Sequence, residues 1–415
     1  MEGTRNGGRT RAYAGRKDIV LAGFAGALSA PEVAWSLIDA GFKPVFFGRR
    51  GRAEPVRHSR YVSVREITAP EENVEVAMSD LSKVIAECDE DGLGGGILFP
   101  LDDSSLWLCS RLSLPERWKL AGPRGENANL ALNKWTQVAA AQSAGFSVPS
   151  SCIATGMSEL EPSRTRFPLI MRPANAVLVE GSRFARGANW ICADEIELER
   201  AFTAWKNRGP LLVQDFIEGS GEGIFGLATI EGVKAMSSHR RLRMMNPHGS
   251  GSSACAAQPV PDEVRESVER FIRNTGWQGI FMIELLRERS GRRWFIEFNG
   301  RSWGSMALAR RQGLEYPAWA VRHALDSGFV PPPLSSLGGP IECRNLGREL
   351  VHLLFVLRGS KSGAIKSWPS FWSSVRDLLR FPRRSAFYNW RSDDWKVFVA
   401  DGCHTIREQV FKSRY

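Results

Sequence analysis

The sequence has no apolar run approaching the ~18 residues that a membrane-spanning helix requires, and nothing in it reads as a transmembrane segment. It has no C-x-x-C pair: its seven cysteines, at positions 88, 109, 152, 192, 255, 343 and 403, are scattered and odd in number. That pattern argues against a disulfide framework or a zinc site and for reduced thiols in a cytoplasmic setting. There is no internal repeat, no low-complexity Lys/Arg tract and no recognised nucleic-acid motif, so nucleic acid is a minor reading despite a net charge of +10. No Ser/His/Asp or Cys/His constellation stands out to suggest chemistry on a protein nucleophile. Arg16-Lys17 before the apolar stretch 19–30 imitates a secretion signal. Asp18 interrupts that junction and an amphipathic helix pattern follows at once, so the stretch is read as structure.

What is present is a soluble globular composition: 415 residues, 43% hydrophobic and 24% charged, enough for two or three domains. The charge is uneven. Residues 331–415 hold fourteen Lys/Arg against seven Asp/Glu, and residues 1–17 hold five against one, which leaves the middle close to neutral. Residues 1–17, rich in Gly, Arg and Thr, are expected to be a disordered basic lead. Pro331-Pro332-Pro333 and the Ser/Gly-rich sequence after it mark a linker to a small, basic, helical tail over 331–415, with helices at Leu346–Leu357 and Pro369–Leu379.

From Asp18 onward, strands and helices alternate. Strands are expected at Asp18–Phe24, Lys43–Phe47, Tyr61–Ile67 and Gly96–Pro100, and helices at Pro31–Ala40, Asn73–Cys88 and Ser104–Leu112. This order implies a parallel sheet with crossover helices over residues 18–125. Asp102-Asp103 follows a strand's carboxyl end, where open α/β sheets bind ligands; a helix N-cap explains the pair equally well. Further on, a helix over Asn133–Ala144 stops at Gly145 before Pro149. Strands are expected at Phe167–Arg172 and Leu211–Ile217, a helix at Glu195–Asn207, a hairpin about Glu231-Gly232, and a helix at Pro261–Thr275.

The most informative stretch is Phe295-Ile-Glu297-Phe-Asn299-Gly-Arg301. On a regular strand Glu297, Asn299 and Arg301 share one face. A carboxylate and an amide oxygen can hold a hard divalent cation, and a guanidinium beside them can grip a phosphate. The apolar run 279–286 carries one carboxylate, Glu284, and the charged segment 287–293 with Gly291 reads as a hairpin connection. The hairpin would bring Glu284 beside Glu297. Acidic residues on strands are also commonly just solvated, but these are flanked by runs too apolar to be freely exposed.

The order of motifs over residues 133–325 resembles the ATP-grasp superfamily, in its carboxylate–amine (amino acid) ligase branch, related to carbamoyl-phosphate synthase large-subunit-like proteins. The blocks are Asn133-Lys134-Trp135, Pro168–Pro173, the glycine loop 181–187, Val213–Gly219, Ser238–Arg243, and Glu284 with Glu297–Ser305. The resemblance covers about residues 18–330. It implies an α/β (α+β) ATP-grasp architecture: a pre-ATP-grasp domain (18–125), a domain over 126–330 with lobes 126–212 and 213–330, and a small helical C-terminal extension.

It also implies ATP with Mg²⁺ (or Mn²⁺) as cofactors, and small-molecule carboxylate and amine substrates, amino acids among them. A homodimer is one assembly open to such a chain. Glu284, Glu297 and Asn299 would hold the metal, with Arg301 and Arg241 as catalytic groups. Lys134 and Arg172 would neutralise phosphates, and Gly181, Ser182, Arg183 or Arg186, and Gly187 would close over them; the alternative for that loop is an ordinary hairpin. Main-chain groups around Gln214, Asp215, Phe216 and Ile217 would bond adenine. Glu222 would take the ribose, or is a solvent-facing turn residue. His239 and Arg241 share a face opposite Arg240, and sequence alone does not choose which face lines the cleft. Asn133 where the family usually has Asp, and Arg172 where it has Lys, are departures; arginine keeps the charge but widens the donor fork. The activity implied is amide-bond formation through an acyl phosphate with release of ADP. A nucleotide-binding regulatory protein or pseudoenzyme, and a bicarbonate-using carboxylase or carbamoyl-phosphate-type enzyme, are the alternatives. The latter is disfavoured because the sequence carries no amidotransferase or biotinyl module.

Overall fold

The computed structural model describes residues 18–89, 95–161, 166–185, 187–206, 208–333, 341–360 and 367–411. The basic lead at 1–17, Arg186 and most of the linker after Pro333 lie outside them.

The first unit is built from β1 (Ile19–Gly23), α1 (Ala30–Asp39), β2 (Lys43–Arg49), β3 (Ser63–Ile67), α2 (Val74–Cys88), β4 (Gly96–Pro100), α3 (Asp103–Arg111) and β5 (Trp118–Leu120). Its strands form one parallel sheet in the order β3-β2-β1-β4-β5. β1 and β4 are buried along their whole length, which is why they read as unbroken apolar runs. Asn73 caps α2 by accepting from Val76 N, and Asp102 with Ser105 forms a capping box at α3. The two acids at this sheet's carboxyl edge therefore divide their work: Asp102 caps, while Asp103 turns toward Arg301.

After α4 (Gly125–Leu132) and α5 (Lys134–Ser143), a four-stranded antiparallel sheet β10-β7-β11-β6 is made by β6 (Ser151–Ala154), β7 (Leu169–Pro173), β10 (Trp190–Cys192) and β11 (Leu211–Asp215). The short hairpin β8 (Leu178–Glu180) and β9 (Arg183–Ala185) and the helix α6 (Glu195–Trp205) complete it. Asn133 caps α5, accepting from Thr136 N, so asparagine here meets a capping need that aspartate would also meet.

The largest sheet runs β16-β15-β12-β13-β14-β17-β18, where β17 (Glu342–Arg344) and β18 (Ser385–Phe387) come from the C-terminal segment. It contains β12 (Ser220–Thr229), β13 (Gly232–Asn246), β14 (Ser250–Gln258), β15 (Gly279–Arg287) and β16 (Arg293–Asn299), with α7 (Asp262–Thr275), α8 (Met306–Arg311) and α9 (Tyr316–Leu325). α7 ends at Gly276 in the left-handed conformation, a common helix stop. One core joins this sheet to the first unit, with Val20, Phe46 and Phe99 packed with Phe225, Met282 and Trp303.

The C-terminal segment is more than a helical tail. α10 (Leu346–Arg358), α11 (Phe371–Leu379) and α12 (Lys396–Phe411) are joined by two strands, β17 (Glu342–Arg344) and β18 (Ser385–Phe387). β17 pairs with β14 and β18 with β17, so the segment extends the large sheet. Asp394 of this segment accepts from Trp35 Nε1 and Ser59 Oγ of the first unit. Three-residue strands carry no readable alternation, which is why the sequence showed only the helices. None of the seven cysteines forms a disulfide.

Candidate active site

β15 and β16 pair antiparallel with Glu284 directly opposite Glu297 and Met282 opposite Asn299. The register shifts just beyond Glu284, where Leu285 pairs with Phe295 and Ile296 is the extra residue of a β-bulge. The bulge turns both Phe295 and Phe298 into the core, which a regular strand could not do for residues three apart. It leaves Ile296 and Glu297 both on the cleft wall. The signal was present in the sequence as two aromatics at odd spacing.

β16 ends at Asn299, so Arg301 is not a strand residue as expected. Gly300 passes so close to Trp277 that a Cβ would sit 2.2 Å from its ring, and the chain turns there. Arg301 then grips Asp103 with both arms of its fork, Nε to Oδ1 at 2.7 Å and Nη2 to Oδ2 at 3.1 Å. This pairing locks the end of β16 to the carboxyl edge of the parallel sheet. Burial opposes the Arg301 charge, but Asp103, Glu297 and Asp102 outweigh it and push its pKa up.

Three further cations converge on the two carboxylates. Lys134 Nζ, at the start of α5, stands 3.3 Å from Glu297 Oε1, and Arg172 Nη1, on β7, 3.6 Å from Glu297 Oε2. Arg172 also donates to Gln214 Oε1 and to the Ile296 carbonyl, both at 2.7 Å. Arg241, on β13, bonds the Glu284 carboxylate, and Asn299 Nδ2 donates to Glu284 Oε1 at 3.2 Å. Burial pushes the Glu284 carboxyl up, yet Arg241, Arg301 and Arg172 together hold it below its ordinary range.

Beside this cluster, a cleft of about 340 Å³ opens between the four-stranded and the large sheets. Ile170 and Ile191 form one wall, Leu286, Ile296 and Met244 the other, and the segment Asp215–Ile217 the rim. The main-chain donors on that rim are partly used: Asp215 N bonds the Ser150 carbonyl at 3.0 Å and Phe216 N the Pro168 carbonyl at 3.1 Å. Gln214, 3% exposed, orients Arg172 through its Oε1 and donates from Nε2 to Ser151 Oγ at 2.7 Å. On the far side of the cluster, a second cavity of about 260 Å³ is lined by Asp102, His239, Arg241, Glu284, Arg301 and Trp303, among others.

Two expected placements are corrected. Glu222 is 2% exposed and does not face the cleft. Its neighbours Gly221 and Gly223 lie under Arg241 and His239, so alternation along β12 sends Glu222 to the other face, where Arg293 Nε donates to it at 2.6 Å. The glycine loop does not lie over the cluster either. Gly181 and Ser182 are the turn of the β8–β9 hairpin, and the hairpin docks on the first unit. Val74 N donates to the Ser182 carbonyl at 2.7 Å, and Phe184 is buried edge-on against Trp107. Arg183 and Gly187 are exposed. The apolar Phe184 anchors the hairpin where a free lid would need a polar tip.

His239 and Arg241 both face the interior cavities, and Arg240 is exposed on the opposite face. His239 is 1% exposed with neither ring nitrogen hydrogen-bonded, and its ring meets Phe225 edge-on. Burial, reinforced by Arg241, holds its pKa well below the ordinary value. Arg348, from α10, also lines the second cavity. Sequence reasoning missed it because it lies far beyond the motif blocks. Among the described residues, no group of three or more His, Cys, Asp or Glu side chains is gathered as a self-sufficient metal cage. Two opposed carboxylates and an amide suit a magnesium ion whose other ligands come from phosphate oxygens and water.

The sequence matches no protein-family model and no curated protein. Solved structures do resemble it. The L-amino acid ligase from Bacillus licheniformis is 20% identical with a TM-score of 0.56, over 75% of this chain and 74% of its own. The biotin carboxylase from Campylobacter jejuni, solved as a β,γ-ATP complex, is 16% identical with a TM-score of 0.58, over 78% and 74%. The N5-carboxyaminoimidazole synthetase from Staphylococcus aureus, complexed with ADP, is 15% identical with a TM-score of 0.57, over 80% and 82%. The fold shared with these structures is the ATP-grasp fold.

Proposed function

We propose that this chain is an ATP- and magnesium-dependent carboxylate–amine ligase. The observation that carries the reading is the pair Glu284 and Glu297, opposed across β15–β16 and ringed by Lys134, Arg172 and Arg241, at the junction of an apolar cleft and a second cavity. A cluster of this kind, two acids amid several cations, suits a metal-bound polyphosphate better than a purely structural network. Solved structures of this fold include complexes with ADP and with a β,γ-ATP, which supports a nucleotide in the cleft.

In this reading adenine occupies the slot between Ile170 and Leu286, and the phosphates extend toward Lys134 and Arg172. Glu284, Glu297 and Asn299 hold magnesium, which when bound neutralises charge on the transferred phosphoryl group. Lys134 and Arg172 exchange their contacts to Glu297 for contacts to phosphate oxygens. The acid enters the second cavity and presents its carboxylate between Arg241 and Arg301. A bond forms from that carboxylate oxygen to the γ-phosphorus as the bond to ADP breaks. Arg241 and Arg301 are already fixed by Glu284 and Asp103, so they stabilise the developing charge without reorganising. An amine then attacks the acyl carbon, phosphate departs, and the amine's proton passes to phosphate or solvent. A second cavity of about 260 Å³ is roomier than bicarbonate needs, which favours an organic acid.

Calorimetric titration with ADP, with and without magnesium, tests the assignment. Magnesium should tighten ADP binding to the wild type and have little effect on Glu297→Gln. No nucleotide binding, or equal magnesium dependence in the two proteins, would overturn it.

A further inference from the structure

The second cavity contains a cation that the proposed phosphoryl transfer does not use. Around the site, each of the other guanidiniums has its own carboxylate: Arg172 has Glu297, Arg241 has Glu284, Arg301 has Asp103 and Arg243 has Glu349. Arg348 has none within 4.0 Å among the described residues. Among the described residues its side chain makes one hydrogen bond, Nη1 to the Ser252 carbonyl at 3.2 Å. Arg348 lines the second cavity.

The surroundings hold it in place. Arg348 sits in the first turn of α10, where Asn345 caps the helix by accepting from Arg348 N at 2.9 Å. Asn345 is tied in turn to Asp401 of α12, Nδ2 to Oδ2 at 2.8 Å. The guanidinium passes over Gly251, where a Cβ would lie 2.9 Å from Nη1. The helix N-terminus adds a positive dipole behind the cation. Burial pulls the Arg348 pKa down, against the opposing pull of Asp401, which acts on its charge from beyond ion-pair distance, and the guanidinium remains a cation at neutral pH.

His239 supplies a second, independent observation. It is a wall of the same cavity, 1% exposed, and both its ring nitrogens lack partners. A neutral imidazole offers one donor and one acceptor to a bound polar group. Of the acids lining the cavity, Glu284 is held by Arg241, and Asp102 accepts from Ser105 N at 2.7 Å.

We propose that Arg348 seats a substrate carboxylate other than the one that is phosphorylated, and so restricts the enzyme to substrates that bring a second carboxylate into this cavity. The proposal rests on the ligase reading above and deepens it. That carboxylate has two chemical sources: the second acid group of a dicarboxylic acid, or the α-carboxylate of an amino acid serving as the amine. Arg348 is a specificity residue supplied by the C-terminal segment, outside the motif blocks that resemble the ATP-grasp ligases.

The test uses the full chain saturated with MgADP and two sets of probes, read by calorimetry. One set pairs L-α-amino acids with their carboxamides; the other pairs succinate and glutarate with their monoamides. In at least one set the carboxylate should bind about tenfold or more tighter than its amide, the scale of one charge-assisted hydrogen bond. Arg348→Gln should erase that preference, and Arg348→Lys should restore part of it, as a purely structural role would not. The set that responds identifies the source. Amides binding as well as carboxylates in the wild type, an undiminished preference in Arg348→Gln, or no binding in either set would each overturn the proposal. The wild-type comparison stands even where a variant folds poorly. Failure of MgADP itself to bind would instead sink the ligase reading, and this inference with it.

Discussion

Glu284 and Glu297 face one another across the β15–β16 ladder, and each is held by different cations: Arg241 on the first, Lys134 and Arg172 on the second. Their loss should therefore differ in stability. Glu284→Gln leaves Arg241 buried with no other carboxylate partner among the described residues, a change that costs about 3–5 kcal/mol when a buried pair is broken from one side. Glu297→Gln should cost less, because Arg172 keeps its bonds to Gln214 and the Ile296 carbonyl. Urea unfolding of the two variants measures the difference, while both should lose magnesium-dependent turnover.

Arg301→Lys keeps the charge but loses the fork that holds Asp103 at two points. The kcat should fall roughly 10²–10³-fold, the scale of one lost preorganised electrostatic contact. The KM for ATP should change little, since the cleft and the carboxylate pair remain. Steady-state kinetics decide it; a near-normal kcat would reduce Arg301 to a tie between β16 and the parallel sheet.

Glu222→Gln should leave nucleotide affinity unchanged, because Glu222 is turned away from the cleft. It should lower stability by about 3 kcal/mol, the low end for breaking a buried ion pair, since Arg293 keeps Glu263 as a partner. Calorimetry with MgADP and a denaturant melt on the same sample read the two effects separately.

His239 makes stability depend on pH with a definite sign. Its pKa is ordinary, 6.5, in the unfolded chain and well below that in the fold. Below about pH 6.5 the unfolded state takes up a proton that the folded state does not, so stability falls as pH drops through that range. The slope is roughly 1 kcal/mol per pH unit until the folded pKa is reached. Above that range this group contributes no slope. His239→Gln should flatten this limb relative to wild type in unfolding curves taken at about pH 5 and about pH 7.5.

The parallel sheet of the first unit was legible because strands buried on both faces must be apolar throughout, as Ile19–Gly23 and Gly96–Pro100 are. The β15–β16 hairpin was legible for a related reason: two apolar runs, each broken by a single carboxylate, flank a charged turn. Regular alternation shows neither the bulge at Ile296 nor the end of β16 at Asn299, and Arg301 lies just past that end rather than on the strand. Glu222 was misplaced because its face depends on its pairing opposite Arg240, and pairing register is a property of two strands rather than of one. β14 carries no strand signal because Gly, Ser and Ala give no hydrophobic alternation; Ala254 to Ala256 are nonetheless buried between β13 and β17. Arg348 reaches the second cavity only through the folding of a segment that begins with β17, and no local pattern announces such a contact.

In the proposed reaction Glu284, Glu297 and their cations drive phosphorylation of a carboxylate by ATP. Hydroxylamine tests it most directly, because a strong nucleophile traps an acyl phosphate as a stable hydroxamate. The protein is incubated with MgATP, hydroxylamine and the carboxylic and amino acid probes used for Arg348, and the products are separated. Hydroxamate should accumulate together with ADP and phosphate, and all three should vanish in Glu297→Gln. AMP with pyrophosphate would mean adenylation and would contradict the account, as would the absence of any acid-dependent ADP release.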